Sequence, residues 1–344
     1  MNSNSNLMVS SDSHVIEPSD LWVERLPSAF RDRAPRYKAR TIFQAHDGGT
    51  NPVGRVREMA MDGVSAEILY PSLAMDQFGL KDAELQEACF RVYNDWLIEY
   101  CSHAPDRLFG VGNISTYRLD SAVREVQRCK DAGMRGVMIW QVPPAELPFW
   151  SSHYDPFWAA AQDLEMPVSL HILTGAAYAP GVVGQEGRHA PTRLSFLVNE
   201  KLLHIANGLI HIIASGVMER FPRLKVVLVE TEVSWLPFTM SQWDKYCSRG
   251  LYESQMTMLP SEYFHRQVFA TFFNDPPIRS IFRDWGTDNC MWSNDFPHKN
   301  STWPNSREVI ARDLGSLPAD ARARLLHGNV SKLYGLPRLM QKAA

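Results

Sequence analysis

The sequence contains few cysteines, and none are spaced to bind a metal through a pair of thiolates. Five occur in 344 residues, widely scattered and without a CxxC spacing. This pattern disfavours both a disulfide framework and a thiolate zinc site. We expect free thiols, most of them buried. They are Cys89, Cys101, Cys129, Cys247 and Cys290.

Long apolar runs, a leader pattern and an excess of positive charge are also missing. No stretch approaches the roughly 18 apolar residues of a membrane span, and residues 1–14 show no basic segment followed by an apolar one. With 35 Lys and Arg against 38 Asp and Glu, the formal net charge is -3. This balance argues against a nucleic-acid or membrane partner. We therefore expect a cytoplasmic protein that acts on a small molecule.

The sequence does contain a repeated alternation of short, β-rich apolar runs and amphipathic helical stretches, such as 82–101 and 120–133. Apolar strands that alternate with helices are typical of a parallel sheet covered by helices. Eight repeats favour an α/β fold, a closed (β/α)8 barrel, in a single domain spanning residues 1–344. The predicted strands are 7–12, 66–72, 108–115, 135–141, 167–173, 225–230, 267–273 and 290–295.

Two segments interrupt this alternation, residues 15–60 and residues 172–192. They follow the first and the fifth predicted strands. In a barrel of this type, the loops that follow the strands surround the active-site mouth. We therefore expect two long active-site loops that serve as a lid or as a wall of the substrate pocket.

Polar side chains with metal-binding chemistry lie where three of these strands end. Asp12 and His14 follow strand one, His171 ends strand five, and Asp295 ends strand eight. Each alone has a structural explanation, as a turn-capping aspartate or a hydrogen-bonded core histidine. Because the strand ends converge on one mouth, their coincidence favours a shared divalent-metal site. Two carboxylates and two imidazoles suit zinc, manganese or iron better than magnesium or calcium.

Together with four longer stretches, these residues resemble the amidohydrolase superfamily, in the branch with aminocarboxymuconate semialdehyde decarboxylase, γ-resorcylate decarboxylase and related hydrolases. The family places an H/D/E-x-H pair after strand one, a histidine after strand five and an aspartate after strand eight. The resemblance implies a metal-dependent TIM-barrel enzyme with one or two ions, zinc being favoured, that forms a homodimer or homotetramer. The four stretches are HYDPFWAAAQDLEMPVSLH (153–171), SGVMERFPRLKVVLVE (215–230), SNDFPH (293–298) and GNVSKLYGLP (328–337).

Glu230 is the main departure, since the decarboxylases of this family usually carry a histidine after strand six. A carboxylate there is a candidate metal ligand, a bridge to a second metal, or a base. Its structural alternative is a cap for the following helix. His298, three residues after Asp295, is a candidate for contacting a ligand or the substrate. Trp140 and Trp235 lie at or just after strand ends and are candidates for lining an apolar substrate pocket.

The possible functions differ in the bond that is broken. Glu230 favours hydrolysis of a small aromatic or hydrophobic acyl substrate (an amide, ester, thioester or activated carbon–carbon bond). In that hypothesis the metal lowers the pKa of bound water toward about 7 and Asp295 takes its proton, while His171 and Glu230 complete the catalytic group. The alternative is non-oxidative decarboxylation of an aromatic or unsaturated carboxylic acid, with Asp295 protonating the carbon that loses CO₂. A non-catalytic ligand-binding barrel is a third interpretation, which the intact metal-binding set disfavours.

Overall fold

A computed structural model describes residues 7–37, 46–178, 194–250 and 255–337 of the chain. Eight parallel strands follow one another in sequence order, each hydrogen-bonded to the next. At the remaining seam, the backbone N–H of Asp295 donates to the carbonyl of Asp12 at 3.1 Å. The strands are β1 Val9–His14, β2 Ala66–Tyr70, β3 Leu108–Asn113, β4 Gly136–Ile139, β5 Val168–His171, β6 Val226–Val229, β7 Val268–Phe272 and β8 Cys290–Trp292.

Helices surround the strands, so the predicted (β/α)8 barrel is confirmed. The α-helices are α1 Leu21–Arg25, α2 Asp47–Thr50, α3 Pro52–Asp62, α4 Ala83–Cys101, α5 Leu119–Asp131, α6 Asp155–Asp163, α7 Lys201–Ala214, α8 Val217–Arg220, α9 Leu236–Ser248, α10 Pro260–Gln267, α11 Ile278–Trp285, α12 Ser306–Leu314, α13 Ala319–Ala323 and α14 Asn329–Leu333. Short 3₁₀ helices span Ser28–Arg33, Ala74–Gly79, Ser152–Tyr154 and Ala176–Tyr178, and π-helical turns span Phe196–Glu200 and Arg324–Gly328.

Most of the strands are apolar because they are covered on both faces, whereas β1 is polar over most of its length. Every residue of β6, with the sequence VVLV, is completely buried, and full burial of such a side chain contributes about 1.5–3 kcal/mol. Helices pack closely outside: a Cβ at Gly112 of β3 would lie 2.7 Å from the Cys129 sulfur of α5. Glycine at this position therefore lets α5 approach the sheet.

Local sequence sets the ends of the helices. The side chain of Asp82 accepts a hydrogen bond from the backbone N–H of Leu85 at 3.0 Å and caps the start of α4. Pro52 opens α3 after the capping residue Asn51, and Gly63 ends it in the left-handed conformation, with φ of 79°. These signals explain where α3 and α4 begin and where α3 ends.

The two interrupting segments differ from open loops where they are described. The first, residues 15–60, holds α1, α2 and most of α3. In the second, residues 179–192 of the predicted loop lie outside the described residues, as do residues 38–45 of the first.

A polar layer closes the barrel interior below the strand ends. The hydroxyl of Tyr70 lies 3.0 Å from that of Ser169 and 3.1 Å from that of Tyr334. Tyr334 comes from the end of the last helix, and a Cβ at Gly136 would meet its ring at 3.1 Å. The C-terminal helix thereby supplies the floor of the barrel.

Among the helices in the described ranges, none has the length and apolar character needed to cross a bilayer. The cysteines are all free thiols, and Cys89, Cys129 and Cys290 are buried.

Candidate metal centre

A β-bulge in β1 positions the first two candidate ligands. Ser10 pairs with Glu67 of β2, but Ser13 pairs with Leu69, so β1 takes three steps where β2 takes two. A bulge of this kind re-aims the side chains of the strand. Asp12 lies inside the bulge and His14 follows it, and both are completely buried.

Hydrogen bonds fix the tautomers of the two central histidines. The Nδ1 atom of His14 lies 2.7 Å from the carbonyl of Pro71, and that of His171 lies 2.9 Å from the carbonyl of Ile172. A carbonyl only accepts, so each Nδ1 carries the proton and each Nε2 keeps a lone pair. The two Nε2 atoms lie 3.3 Å apart. Two lone pairs at that distance call for a cation between them.

Three carboxylates converge on the same point. An oxygen of Asp12 lies 3.4 Å from His14 Nε2, and an oxygen of Asp295 lies 3.5 Å from it. An oxygen of Glu230 lies 3.7 Å from His171 Nε2. Both oxygens of Asp12 are buried and, within the described part of the chain, accept no hydrogen bond. Such burial is costly without a ligand, so the residues fit a divalent cation.

All five predicted ligands therefore meet at one point, and His298 joins them. The candidate ligand atoms form two overlapping groups, each with its atoms within 4.8 Å of one another. One group is Asp12, His14, His171 and Glu230, and the other is His14, Glu230, Asp295 and His298.

The loops after β6 and β8 hold their carboxylates on strained backbone. Glu230 and Asp295 have φ of 59° and 55°, in the left-handed region that costs a residue other than glycine about 1–2 kcal/mol. The hydroxyl of Thr271 accepts a hydrogen bond from the N–H of Glu230 at 2.9 Å. Glu230 does not cap α9, which begins six residues later, so the helix-cap alternative does not describe it.

Burial and charge separate the acidities of the carboxylates. Burial works to raise the pKa of Asp12, but His14 and His171 outweigh it and hold this pKa well below its ordinary value. Burial raises the pKa of Asp295 to about 8, with the charge of Asp12 adding to the effect. Burial and the charge of Asp295 also raise the pKa of Glu230. The centre thus combines one firmly ionised carboxylate with two that hold protons more strongly.

The histidines experience opposite effects. Burial lowers the pKa of His14. At His171 burial acts in the same direction, but the carboxylate of Asp12, 3.8 Å from Nε2, outweighs it and raises the pKa. The surroundings of His171 Nε2 therefore favour positive charge, whether of a proton or of a metal ion.

His298 connects Asp295 to solvent. Its Nδ1 lies 2.8 Å from an oxygen of Asp295, and its side chain is 16% exposed, whereas that of Asp295 is completely buried. Its ring centroid lies 4.0 Å from that of His14. This arrangement provides a route for a proton between the surface and Asp295.

Sequence reasoning missed the residues that brace this centre. The amide oxygen of Asn294 accepts hydrogen bonds from the hydroxyls of Ser10 and Ser13, at 3.0 and 2.9 Å. Its amide N–H donates to Asp62, at the end of α3, at 3.2 Å. The adjacency of Asn294 to Asp295 was the one available signal.

Two buried charged residues act on the backbone near His14. Arg55 donates to the carbonyl of His14 at 2.6 Å and pairs with Glu67. Glu17 accepts hydrogen bonds from three consecutive backbone N–H groups, at 2.8 to 3.2 Å, which begin directly after Pro71. Both residues therefore fix the segments that orient the His14 ring.

The two tryptophans predicted to line the pocket have structural partners. Trp140 is completely buried, and its indole N–H donates to the Tyr154 hydroxyl at 3.1 Å. The indole of Trp235 donates to the carbonyl of Thr231 at 3.1 Å and so braces the loop that carries Glu230. A substrate contact for either ring stays a prediction.

A family model and several curated proteins match most of the chain. A family model described as Amidohydrolase matches residues 44–336. The γ-resorcylate decarboxylase of Rhizobium radiobacter is 25% identical over 299 residues, covering 82% of this chain and 86% of the relative. That of Polaromonas sp. (strain JS666) is 24% identical over 310 residues, covering 83% and 87%.

Solved structures share the fold. An amidohydrolase of Mycobacterium avium subsp. paratuberculosis superimposes with a TM-score of 0.79 at 18% identity, covering 96% of this chain and 99% of that one. The 5-carboxyvanillate decarboxylase of Sphingomonas paucimobilis gives 0.73 at 18% identity, covering 96% and 100%. A dihydroxybenzoic acid decarboxylase of Polaromonas sp. JS666, solved with bound manganese, gives 0.70 at 19% identity, covering 97% and 98%.

The hydrolysis hypothesis is wrong in the light of these comparisons. The relatives that match along most of the chain are named as decarboxylases, which supports the alternative reaction. Glu230 was the reason for preferring hydrolysis, but a carboxylate near a metal does not by itself choose the bond that is broken. Zinc also gains no specific support, because the metal named with the structural neighbours is manganese.

Proposed function

The chain belongs to the amidohydrolase family, and on that premise we propose that it is a metal-dependent, non-oxidative decarboxylase of an aromatic carboxylic acid. The observation that carries the proposal is the 2.8 Å contact between the buried carboxyl group of Asp295 and Nδ1 of the partly exposed His298. Decarboxylation needs a proton donor of this kind, because the carbon that loses CO₂ must gain a proton.

We propose that Asp12, His14, His171 and Asp295 hold a divalent cation, with Glu230 as a further ligand. Manganese is the favoured ion, since structural neighbours were solved with it. When bound, the cation supplies positive charge that orients an anionic substrate and stabilises electron density developing on the ring. The side chains of the centre keep the Nε2 lone pairs of His14 and His171 directed at it.

Asp295 then acts as the proton donor. The electron pair of the broken carbon–carbon bond stays on the ring carbon, which takes the proton from the Asp295 carboxyl group, and CO₂ leaves. His298 returns a proton from solvent to Asp295 across the 2.8 Å contact. One proton is consumed for each CO₂ released, so the reaction needs neither water nor an oxidant.

The test is to load the protein with Mn²⁺ and offer a panel of hydroxylated benzoates, including 2,6-dihydroxybenzoate and 5-carboxyvanillate. We expect CO₂ release from at least one of them. In D₂O the product should carry one deuterium at the carbon that lost the carboxylate, which mass spectrometry and NMR detect. Chelated protein serves as the control and should release no CO₂.

Cleavage of aryl esters or amides by the Mn²⁺-loaded protein, with no CO₂ from any benzoate of the panel, would refute the decarboxylase proposal.

A further inference from the structure

Lys201 stands at the barrel mouth, outside the proposed ligand set. It begins α7, and its carbonyl accepts a hydrogen bond from the side-chain amide of Gln141 at 3.3 Å. The backbone N–H of Gln141 donates to the Thr174 hydroxyl at 2.9 Å, and that hydroxyl donates to the carbonyl of His171 at 2.7 Å. Two intervening residues thus tie the start of α7 to a candidate metal ligand.

The packing of α7 reinforces this placement. A Cβ at Gly208 would lie 3.2 Å from the carbonyl of Gln141. Glycine here lets the helix lie directly on the segment that follows β4. The first turn of α7 is therefore held over the strand ends, where a flexible lysine side chain can reach the centre.

The ammonium of Lys201 has no anionic partner in the described ranges. The side chain is half-buried, yet with the described residues it makes no hydrogen bond and no ion pair within 4.0 Å. Its positive charge nevertheless acts on the centre, where it opposes the rise in the pKa values of Glu230 and Asp295 and adds to the fall in the pKa of His298. An anionic group of a ligand can therefore serve as the counter-ion of this half-buried ammonium.

The charge balance of the centre explains why such a cation is useful. The two charges of a divalent ion would be neutralised by two of the three carboxylates Asp12, Glu230 and Asp295, and the third can add one more negative charge. An anionic substrate would then meet a centre with no positive charge in excess. Lys201 supplies a positive charge beside it.

A cation on the departing carboxylate would oppose the reaction, because CO₂ carries no charge. The ammonium therefore suits an anionic group that the substrate keeps. We propose that Lys201 binds a second, retained carboxylate and so selects aromatic dicarboxylates. This inference rests on the proposed function and narrows its substrate class.

The test compares isophthalate, with two carboxylates, and benzoate, with one, by calorimetric titration of the Mn²⁺-loaded protein. Wild type should prefer isophthalate. Lys201→Met should weaken isophthalate binding by about ten- to hundredfold, the worth of one charge-assisted hydrogen bond, and leave benzoate within about twofold. Lys201→Arg should keep most of the preference. Lys130→Met, which removes an exposed lysine of α5, is the matched control and should behave as wild type.

A second measurement needs no organic ligand. Removing a nearby positive charge should make Lys201→Met bind Mn²⁺ about threefold tighter or more, measured by competition with a chelator. Unchanged Mn²⁺ affinity, an unchanged isophthalate preference in Lys201→Met, or a wild type without that preference would overturn the inference. Wild type that shows the preference but releases no CO₂ from any aromatic acid would instead refute the proposed decarboxylation.

Discussion

The two sides of the candidate metal centre are built differently. On the side of β1 and β5, Asp12, His14 and His171 are completely buried, and both histidine rings are locked to carbonyls. On the side of β6 and β8, Glu230 and Asp295 sit on strained backbone, have raised pKa values and border the exposed edge of His298. The first side is fully buried and its rings are held in place by hydrogen bonds, as metal binding requires. The second can change its protonation, as proton transfer requires.

The largest effect is expected when a candidate metal ligand is removed from the side of β1 and β5. His171→Ala should lower metal affinity by at least about a hundredfold and activity by more than about a thousandfold, because a fixed ligand is lost. Metal content by inductively coupled plasma mass spectrometry, alongside CO₂ release, measures both. A variant that keeps its metal and full activity would remove the distinction between the sides.

On the side of β6 and β8, a substitution should lower activity much more than metal affinity. Asp295→Asn should cut the rate of CO₂ release by about a hundred- to ten-thousandfold, since the amide has no proton to give, while metal affinity falls only about tenfold. Asp313→Asn, at a buried aspartate of α12, is the control for folding and should retain activity. Equal losses of metal and activity would make Asp295 a ligand without a proton-transfer role.

Glu230 lies between the two sides, because it belongs to both ligand groups. Glu230→Gln removes one negative charge and keeps the size, so Mn²⁺ affinity and activity should each fall by about tenfold. The same titrations give the number of ions per chain for wild type and variant. Wild-type values of affinity, stoichiometry and rate in the variant would exclude Glu230 from the centre.

The smallest effect is expected at Glu17, which fixes the segment that orients the His14 ring. Burial raises the pKa of Glu17 from 4.5 to about 7. Between these values the folded protein keeps a proton that the unfolded chain has lost, so the free energy of unfolding falls as pH rises. Glu17→Gln cannot ionise, so its stability relative to wild type should rise by roughly 2–3 kcal/mol across that range. Urea unfolding at both pH values measures this, and a constant difference between the two proteins would contradict it.

Much of the architecture could be predicted from local pattern. Most of the buried parallel strands are rich in apolar residues, so the eight runs were visible, and Asp12, His14 and His171 stood out as polar groups at strand ends. The remaining parts depend on contacts between distant segments. Asn294 accepts a hydrogen bond from Ser10 across the barrel seam. No periodicity in the sequence predicts this contact.

Other features escaped prediction for related reasons. The left-handed turn at Asp295 brings His298 back against it, but the SNDFPH sequence shows only the spacing. Lys201 lies in a helix whose sequence carries no sign that its first turn overhangs the mouth. The reaction itself could not be read from the ligand types, since the same carboxylates serve hydrolysis and proton donation.

The seam between β8 and β1 has a consequence for how the protein folds. The hydroxyl of Ser10 donates a hydrogen bond to Asn294 across a sequence separation of 284 residues. Closing the barrel therefore costs the conformational entropy of a very long loop. Contacts of this separation are formed late and slow folding. Asp12 and Asp295 come together only at that closure, so the complete set of candidate ligands forms when the chain completes its ring.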